Sequence, residues 1–455
     1  MNALTLFLPC AAGVEPYLAE EVQRITGLPA SEMQTGRAGL MLRGSWRQAM
    51  ELNLHSRLAQ RVLVRVAHQP YRNEDDIYDA AQQVAWEIWF TPAQSIKVEI
   101  TAQHSPLKSL NFAALRVKDA VCDRLRDKRG ARPNVDTAWP DVRIFAHLTT
   151  DMVTVYVDTS GEPLFKRGWR EDKGDAPLKE TLAAAMIAAT GWTGSDAEGH
   201  PVPLYDPCCG SGTVVIEAAQ MALNIAPGKL RRFAFEKLLP YQAHVWQGIR
   251  QAAVDSEQPM PTQPIVFGSD VAFRMVDFAQ RNALRAGVLA AVELRGGDAL
   301  QRMPPSTTPG VMLLNPPYGE RIAAAGVAGQ RAQDRQGQAE PRTPRGRVFR
   351  ADTKPAPTGM GRESAVHADG SENNDFFAQL ASHWKKHYTG WTGWLLTPDL
   401  DLPSKMRFKA SRRVPLWNGP IECRLFRFDL QAGSLRRSAQ TDAAASSNTT
   451  VAKKP

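Results

Sequence analysis

The sequence predicts an α/β protein with two rhythms: an α+β region up to about residue 160, then a doubly wound, Rossmann-like parallel sheet. Three observations predict it. Short period-two apolar runs alternate with helical stretches up to about Gly161, and longer strand–helix pairs follow. A glycine turn, DPCCGSG, joins an apolar strand to an apolar helix at residues 206–212, the kind of junction where doubly wound sheets bind ligands. At 455 residues the chain exceeds the roughly 100–200 residues of one domain, so two or three folded units are expected.

In chain order, LTLFLPC from Leu4 is a strand and Val14–Ile25 an amphipathic helix. GLML is a strand, SWRQAMELNLHSR a helix, and QRVLVRVAHQ and SIKVEITAQ are period-two strands. NFAALRVKDAVCDRLRDKRG is a helix ended by Gly130 and Pro133, and VRIFAHLTTDMVTVYVDTSG folds as two strands about a tight turn. The region reads as several small antiparallel units. Beyond it, APLKETLAAAMIAAT and GTVVIEAAQMALNIAPG are helices around the strand PLYD. PIVFGSD, VAFRMVDFAQRNALRAGV and AVELRGGDAL continue as strand, helix, strand; VMLLNPPYG is a strand meeting a proline turn. NNDFFAQLASHWKKHYTG and GWLLTPD close the alternation.

Composition narrows the class. With 43% hydrophobic and 22% charged residues the chain is neither collagen-like, wholly disordered nor a disulfide scaffold. Five scattered cysteines, without paired C-x-x-C motifs, argue against a disulfide framework and a structural zinc site, and no metal is expected. No run of 18 apolar residues offers a membrane span. The first residues lack a basic n-region and read as a strand rather than a signal peptide, so a reducing cytoplasm is the expected compartment.

The glycine turn has a physical logic. A strand delivers Asp206 and Pro207; Gly210, Ser211 and Gly212 then bring backbone N–H groups close to a ligand as a helix opens. Val215 stands where a dinucleotide site wants a small residue, and no Gly-Lys-Ser/Thr follows, so neither an ordinary dinucleotide site nor a phosphate loop fits. In VMLLNPPYGERI, four apolar residues deliver Asn315, and Pro316 and Pro317 fix a turn with no donors of their own. Such a turn presents the Asn315 side-chain oxygen and a carbonyl outward beside the ring of Tyr318. These parts suit acceptance of hydrogen bonds from a planar exocyclic amine while an aromatic ring stacks on its base. Asp270 and Asp298 end the two intervening strands, placed for ribose hydroxyls and an adenine amine, although each singly also suits a helix N-cap.

DPCCGSG, GSD, GGDAL and NPPYGERI together resemble the S-adenosylmethionine (SAM) site and N-P-P-Y motif of class I amino-methyltransferases. FKRGWREDKGDAPLKETLAAAMI, IEAAQMALNIAPG and KMRFKASRRVPLWNGPIECRLFRFDL narrow this to a bacterial family, the 23S rRNA guanine-N2 methyltransferases with an N-terminal THUMP RNA-binding domain. The likeness is to the N-terminal-half type, without the fused second methyltransferase. It implies a ferredoxin-like α+β region at 1–65, a THUMP domain at 66–160 and a SAM-dependent methyltransferase domain at 161–430. A disordered insert at 323–371 and a disordered tail at 431–455 complete the expected division. The resemblance also implies that Asp206, Gly210 and Gly212 hold the methionine end of SAM, Asp270 its ribose and Asp298 its adenine. Asn315, Pro316 and Tyr318 would receive a guanine. Adenine-N6 methylases share N-P-P-Y, THUMP domains also occur on tRNA-modifying enzymes, and a non-catalytic RNA-binding assembly factor is the rival from another class.

Charge points to where an RNA would lie. Net charge is +8, with nine basic against five acidic residues in Thr101–Phe145 and seven against one in Pro403–Phe428. Lys108, Arg116, Arg124, Lys128, Arg129 and Arg132 in the first stretch are the candidate phosphate contacts, as are Lys405, Arg407, Arg412 and Arg413 in the second. The alternative for the first stretch is a solvated helix face with i,i+4 charge pairs. Lys166, Arg167 and Lys179 are candidates for contact with cofactor or RNA. Cys208 and Cys209 read as small fillers, and Trp384, Trp391 and Trp394 as core.

Overall fold

In the computed structural model, residues 3–174, 177–316 and 371–431 are described. The first sheet has seven strands in the order β2-β3-β1-β4-β7-β6-β5: β1 (Leu4–Pro9), β2 (Met33–Gly36), β3 (Gly39–Gly44), β4 (Leu63–Pro70), β5 (Ile96–Ala102), β6 (Val142–Leu148) and β7 (Met152–Asp158). It is one continuous sheet, not the several small antiparallel units expected. The reason lies in β1, whose Leu6 and Leu8 are fully buried. That strand pairs along one edge with β3 and along the other with β4, where Leu6 faces Val64. All pairs are antiparallel except β5 with β6, which α4 (Leu110–Arg129) connects as a crossover.

Local chemistry sets the helices of this half. Ser45 and Gln48 form a capping box at α2 (Trp46–His55), and Ser109 accepts from the Phe112 N–H at the start of α4. Gly130 ends α4 with φ +77, as the Gly130–Pro133 signal implied. Besides α1 (Glu15–Thr26), the region holds α3 (Glu74–Gln82), which the acid-rich NEDD run conceals until Asn73 is seen to cap it.

The second sheet has the order β10-β9-β8-β11-β12-β14-β13, built from β8 (Leu204–Asp206), β9 (Val266–Asp270), β10 (Val292–Gly296), β11 (Val311–Leu314), β12 (Thr392–Thr397), β13 (Arg412–Asn418) and β14 (Ile421–Asp429). The strands from β10 to β12 are parallel, and β13 and β14 add an antiparallel hairpin at one edge. Helices α5 (Glu180–Thr190), α6 (Thr213–Ala222), α7 (Ala243–Asp255) and α8 (Phe273–Arg285) pack around it, followed by the helix Ser371–His387. This is the doubly wound α/β class the alternation predicts. Trp384, Trp391 and Trp394 are buried as core.

The two halves share one apolar core, running from Leu6 of β1 to Leu425 of β14. Backbone bonds stitch the seam: the Gly228 N–H donates to the Leu54 carbonyl at 2.9 Å, and the Leu239 N–H to that of Trp89 at 2.8 Å. Nearly all of the insert expected at 323–371, and the tail beyond Gln431, lie outside the described residues. No described helix is long and apolar enough to cross a membrane.

Candidate active site

Sheet order creates the site. From β8 the chain winds through β9 and β10 to one side, while β11 and β12 lie on the other, so β8 and β11 flank the switch point where a crevice opens. Parallel register brings the strand ends level: Asp206 lies opposite Gly268, Gly296 opposite Asp270, and Met312 opposite Tyr205. Asp206, Asp270, Asp298 and Asn315 therefore emerge along one carboxyl edge.

The glycine turn is held by carboxylates and by a neighbouring strand. Asp270 Oδ2 accepts from the Gly210 N–H at 2.9 Å and Oδ1 from the Ala272 N–H at 2.9 Å. Asp206 Oδ1 accepts from the Cys208 N–H at 3.0 Å, and the Cys209 N–H donates to the Ser269 carbonyl at 2.9 Å. Gly212 caps α6 with φ +87, and a Cβ there would lie 3.0 Å from that of Ala279, so both conformation and space demand glycine. The structure also explains Val215. Gly268 on β9 leaves the room its side chain fills; a Cβ at that position would sit 2.9 Å from Val215 Cγ2.

Electrostatically the crevice crowds two acidic side chains. Burial pushes the Asp206 carboxyl up to about 8, with the neighbouring Asp270 charge adding to the effect. Asp270 is also raised, chiefly by burial, against the two backbone bonds it accepts. No cation partners either carboxylate among the described residues. Cys208 and Cys209 are pushed well above the usual thiol range by burial and these same carboxylates, which makes them unreactive fillers. Asp298 is half-buried, and its Oδ1 accepts from the Leu300 N–H at 2.9 Å.

Asn315 is half-buried at the end of β11 and Pro316 buried behind it; Pro317 and Tyr318 lie outside the described residues. The structure brings Arg170 to the same turn, a residue the sequence reading passed over. Its guanidinium donates to Ser211 Oγ at 3.0 Å, Thr213 Oγ1 at 2.8 Å and Glu180 Oε1 at 2.6 Å. Asn282 of α8 bridges the same segment, donating to the carbonyls of Asp172 at 2.8 Å and Ser211 at 3.1 Å. An arginine forty residues ahead of a turn has no periodic signature, so only tertiary structure reveals it.

The basic candidates separate into two kinds. On and just after α4, Arg116 pairs with Asp75 at 2.6 Å, Arg124 with Glu87 at 2.6 Å and Arg132 with Asp123, while Arg129 donates to the Glu87 carbonyl at 2.9 Å. Lys108 and Lys128 are exposed. In the second stretch Lys405 pairs with Asp399 at 2.6 Å, whereas Arg407, Arg412 and Arg413 are exposed, Arg413 lying over the Phe426 ring. Arg167 is corrected outright: its guanidinium is buried against Glu217 at 3.0 Å, so it reaches neither cofactor nor RNA.

Fold, switch point and paired carboxylates are those of a Rossmann-like, class I methyltransferase type of domain joined to an α+β region. Comparison with known proteins makes this particular: residues 167–335 match the model of the RMKL-like methyltransferase domain, 71–158 that of the THUMP domain and 5–63 that of the RlmL ferredoxin-like domain. It is 32% identical over 424 residues to the ribosomal RNA large subunit methyltransferase K/L of Psychromonas ingrahamii, covering 92% of this chain and 49% of that one. The chain thus spans about half the length of the curated relatives it matches. Among solved structures, SMU.472 in complex with SAH superposes with a TM-score of 0.76 at 25% identity, covering 95% of this chain and 100% of that one. A chain from Listeria monocytogenes described as a predicted N6-adenine-specific DNA methylase gives a TM-score of 0.73 at 25% identity, covering 94% and 96%.

The crevice fits SAM, because the buried Asp206 and the half-buried Asp270, without a cationic partner among the described residues, suit a ligand that carries a sulfonium and an ammonium group.

Proposed function

We propose that this chain transfers a methyl group from SAM to the exocyclic N2 amine of a guanine in 23S rRNA. The observation that carries the reading is the β8/β11 register, which sets Asn315 on the same crevice as the Asp206–Asp270 pair. The names of the curated relatives supply the ribosomal RNA. When bound, SAM supplies an electrophilic methyl on a positive sulfur. Asp206, Gly210 and Gly212 would hold the methionine end, Asp270 the ribose and Asp298 the adenine. Asn315 Oδ1 and the Pro316 carbonyl accept the two hydrogens of the target amine. That favours pyramidalisation of its nitrogen and stabilises the positive charge that develops there, an effect felt most in the transition state. No general base is required: as the nitrogen's bond to the methyl forms, the methyl's bond to sulfur would break to leave a neutral thioether, and the now cationic amine then passes one proton to solvent water. Pro317 and Tyr318 complete the motif, and Tyr318 would stack on the extruded base at roughly 1–3 kcal/mol.

RNA contact falls to the exposed cations, Lys108 and Lys128 in the THUMP region and Arg407, Arg412 and Arg413 beside the β13–β14 hairpin, whereas Arg116, Arg124, Arg129, Arg132 and Lys405 are already held within the chain and contribute less. A cytoplasmic location accords with a ribosomal substrate. Because N-P-P-Y also serves adenine N6, and the Listeria chain is described as an adenine-N6 methylase, the second reading is methylation of adenine. Transfer of radiolabel from SAM to 23S rRNA, tRNA and DNA, followed by nuclease mapping of the modified base, tests both. Label recovered as N2-methylguanosine in 23S rRNA supports the proposal; label confined to adenine or to DNA overturns it.

A further inference from the structure

A cavity of about 300 Å³ lies outside the cofactor crevice, on the seam between the ferredoxin-like and methyltransferase halves. It opens between the ends of α1 and α2 and the face of α7. Arg24, Arg47 and Arg57 line it with a single carboxylate, Glu51, and the imidazole of His55 lines it as well. Glu51 is committed to Arg47 at 2.9 Å. Arg57 shares the buried Glu217 with Arg167, and the buried Glu21 also acts on Arg57 and Arg24, so Arg24, Arg47, Arg57 and Arg167 face Glu51, Glu217 and Glu21 and leave a modest excess of positive charge around the cavity. On the methyltransferase side the polar lining is neutral, contributed by Asn224 and Ser256.

We propose that this cavity is a phosphate-binding site, and that its occupant is a backbone phosphate of the RNA substrate. The exposed Arg24 and Arg47 supply charge-assisted donors, while Arg57, committed to Glu217 and the Ile225 carbonyl, adds positive charge from behind, so an anion entering the cavity replaces bulk water with fixed cations. His55 reports on the same field. Its imidazole is pushed down to about 4, first by burial and then by the charges of Arg57 and Arg24. A bound phosphate supplies the missing negative charge and reverses that effect. The site would place one end of the RNA on the domain seam, away from the methyl-transfer crevice. The identity of the phosphate's carrier rests on the RNA methyltransferase reading; the anion site itself does not.

The test is NMR titration of the His55 ring in the full-length protein, with His55→Gln assigning the resonance. It needs neither SAM nor turnover, so it fails or succeeds independently of the methylation assay. Inorganic phosphate is one probe, and a short oligoribonucleotide with hydroxyls at both ends is the other. Both should raise the His55 midpoint by about 1 pH unit or more. The double variant Arg24→Gln, Arg47→Gln, which alters only side chains near the surface, should weaken both probes about tenfold. A response to phosphate without one to the oligoribonucleotide overturns the RNA assignment. A midpoint unmoved by either probe, or moved equally in the double variant, overturns the site.

Discussion

Arg57, just beyond α2, donates from Nη1 to Glu217 of α6 at 3.2 Å across 160 residues of chain. Glu217 is fully buried and also accepts from Arg167 Nε at 3.0 Å, while Arg167 Nη2 donates back to the Arg57 carbonyl at 2.8 Å. The N-terminal half is therefore fastened to the half built on the second sheet by a closed polar loop set in a shared apolar core. A seam of this kind fixes the spacing between the two halves.

Glu217→Ala leaves two buried guanidiniums facing each other without their carboxylate. The expected cost is roughly 3–5 kcal/mol of stability. Chemical denaturation followed by tryptophan fluorescence checks it. Because the core is shared, a single cooperative transition should move to lower denaturant; two separated transitions would show that the halves unfold independently.

Asn315→Ala removes the side-chain acceptor at the end of β11 without touching the carboxylates at β8 and β9. Methyl transfer should fall on the order of 10²–10³-fold, the loss typical of one transition-state hydrogen-bonding group, while SAM affinity stays nearly intact. Single-turnover transfer and calorimetric titration of SAM separate the two. A variant that turns over at a near-normal rate removes Asn315 from the chemistry.

Both of these sites were unequally legible in the sequence. Asp206, Asp270 and Asn315 each follow an apolar run that ends abruptly, and a strand end is a local signal. Their convergence needed only the parallel alternation of strands and helices. Arg170, Asn282 and Arg57 carry no such mark, because their partners lie on distant segments and charge alone reads as a solvated surface. Arg167 shows the same failure reversed: a basic residue in a loop reads as a ligand contact, yet its carboxylate lies 50 residues ahead on α6. The unity of the first sheet escaped for a related reason, since period-two patterning marks single strands such as β4 but not which strands pair.

Arg170→Lys keeps the charge beside the glycine turn and loses the fork that spans Glu180, Ser211 and Thr213. The turn should loosen, raising the KM for SAM about tenfold with a smaller change in kcat. A Kd measured by calorimetry would rise in parallel. If kcat alone falls, Arg170 acts on the reacting atoms instead of positioning the turn.

The two basic stretches should contribute unequally to RNA affinity. Arg116, Arg124 and Arg132 are already paired with Asp75, Glu87 and Asp123, so substituting one for glutamine exchanges one partner for another. Arg407 and Arg412 are exposed and form no ion pair among the described residues. Arg407→Gln and Arg412→Gln should each reduce the slope of log affinity against log salt by roughly 1, against almost no change for Arg124→Gln. Filter binding between 50 and 200 mM salt, about the range where such slopes are steep, gives the comparison. Equal slopes for all three variants would return the α4 arginines to the RNA interface.

SAM affinity should rise with pH through the value to which burial lifts Asp206, about 8. The sign follows from the carboxyl's two states. In the free protein below that pH Asp206 is largely protonated and neutral, so a cationic ligand meets no charge until the proton leaves. Binding then lowers the Asp206 value and releases up to one proton, and affinity gains up to about tenfold per pH unit until the carboxylate is already ionised. The same linkage predicts that the free protein, whose Asp206 binds its proton more tightly folded than unfolded, loses stability as pH rises from the ordinary carboxylate range through 8. Thermal shifts caused by SAM should therefore grow over that interval. Calorimetry of SAM binding at pH 6.5, about 1.5 units below the expected value, in buffers of different ionisation enthalpy counts the protons directly. Asp206→Asn should abolish both the proton release and the pH dependence; a wild-type enthalpy independent of the buffer would show that Asp206 is ionised before the cofactor arrives.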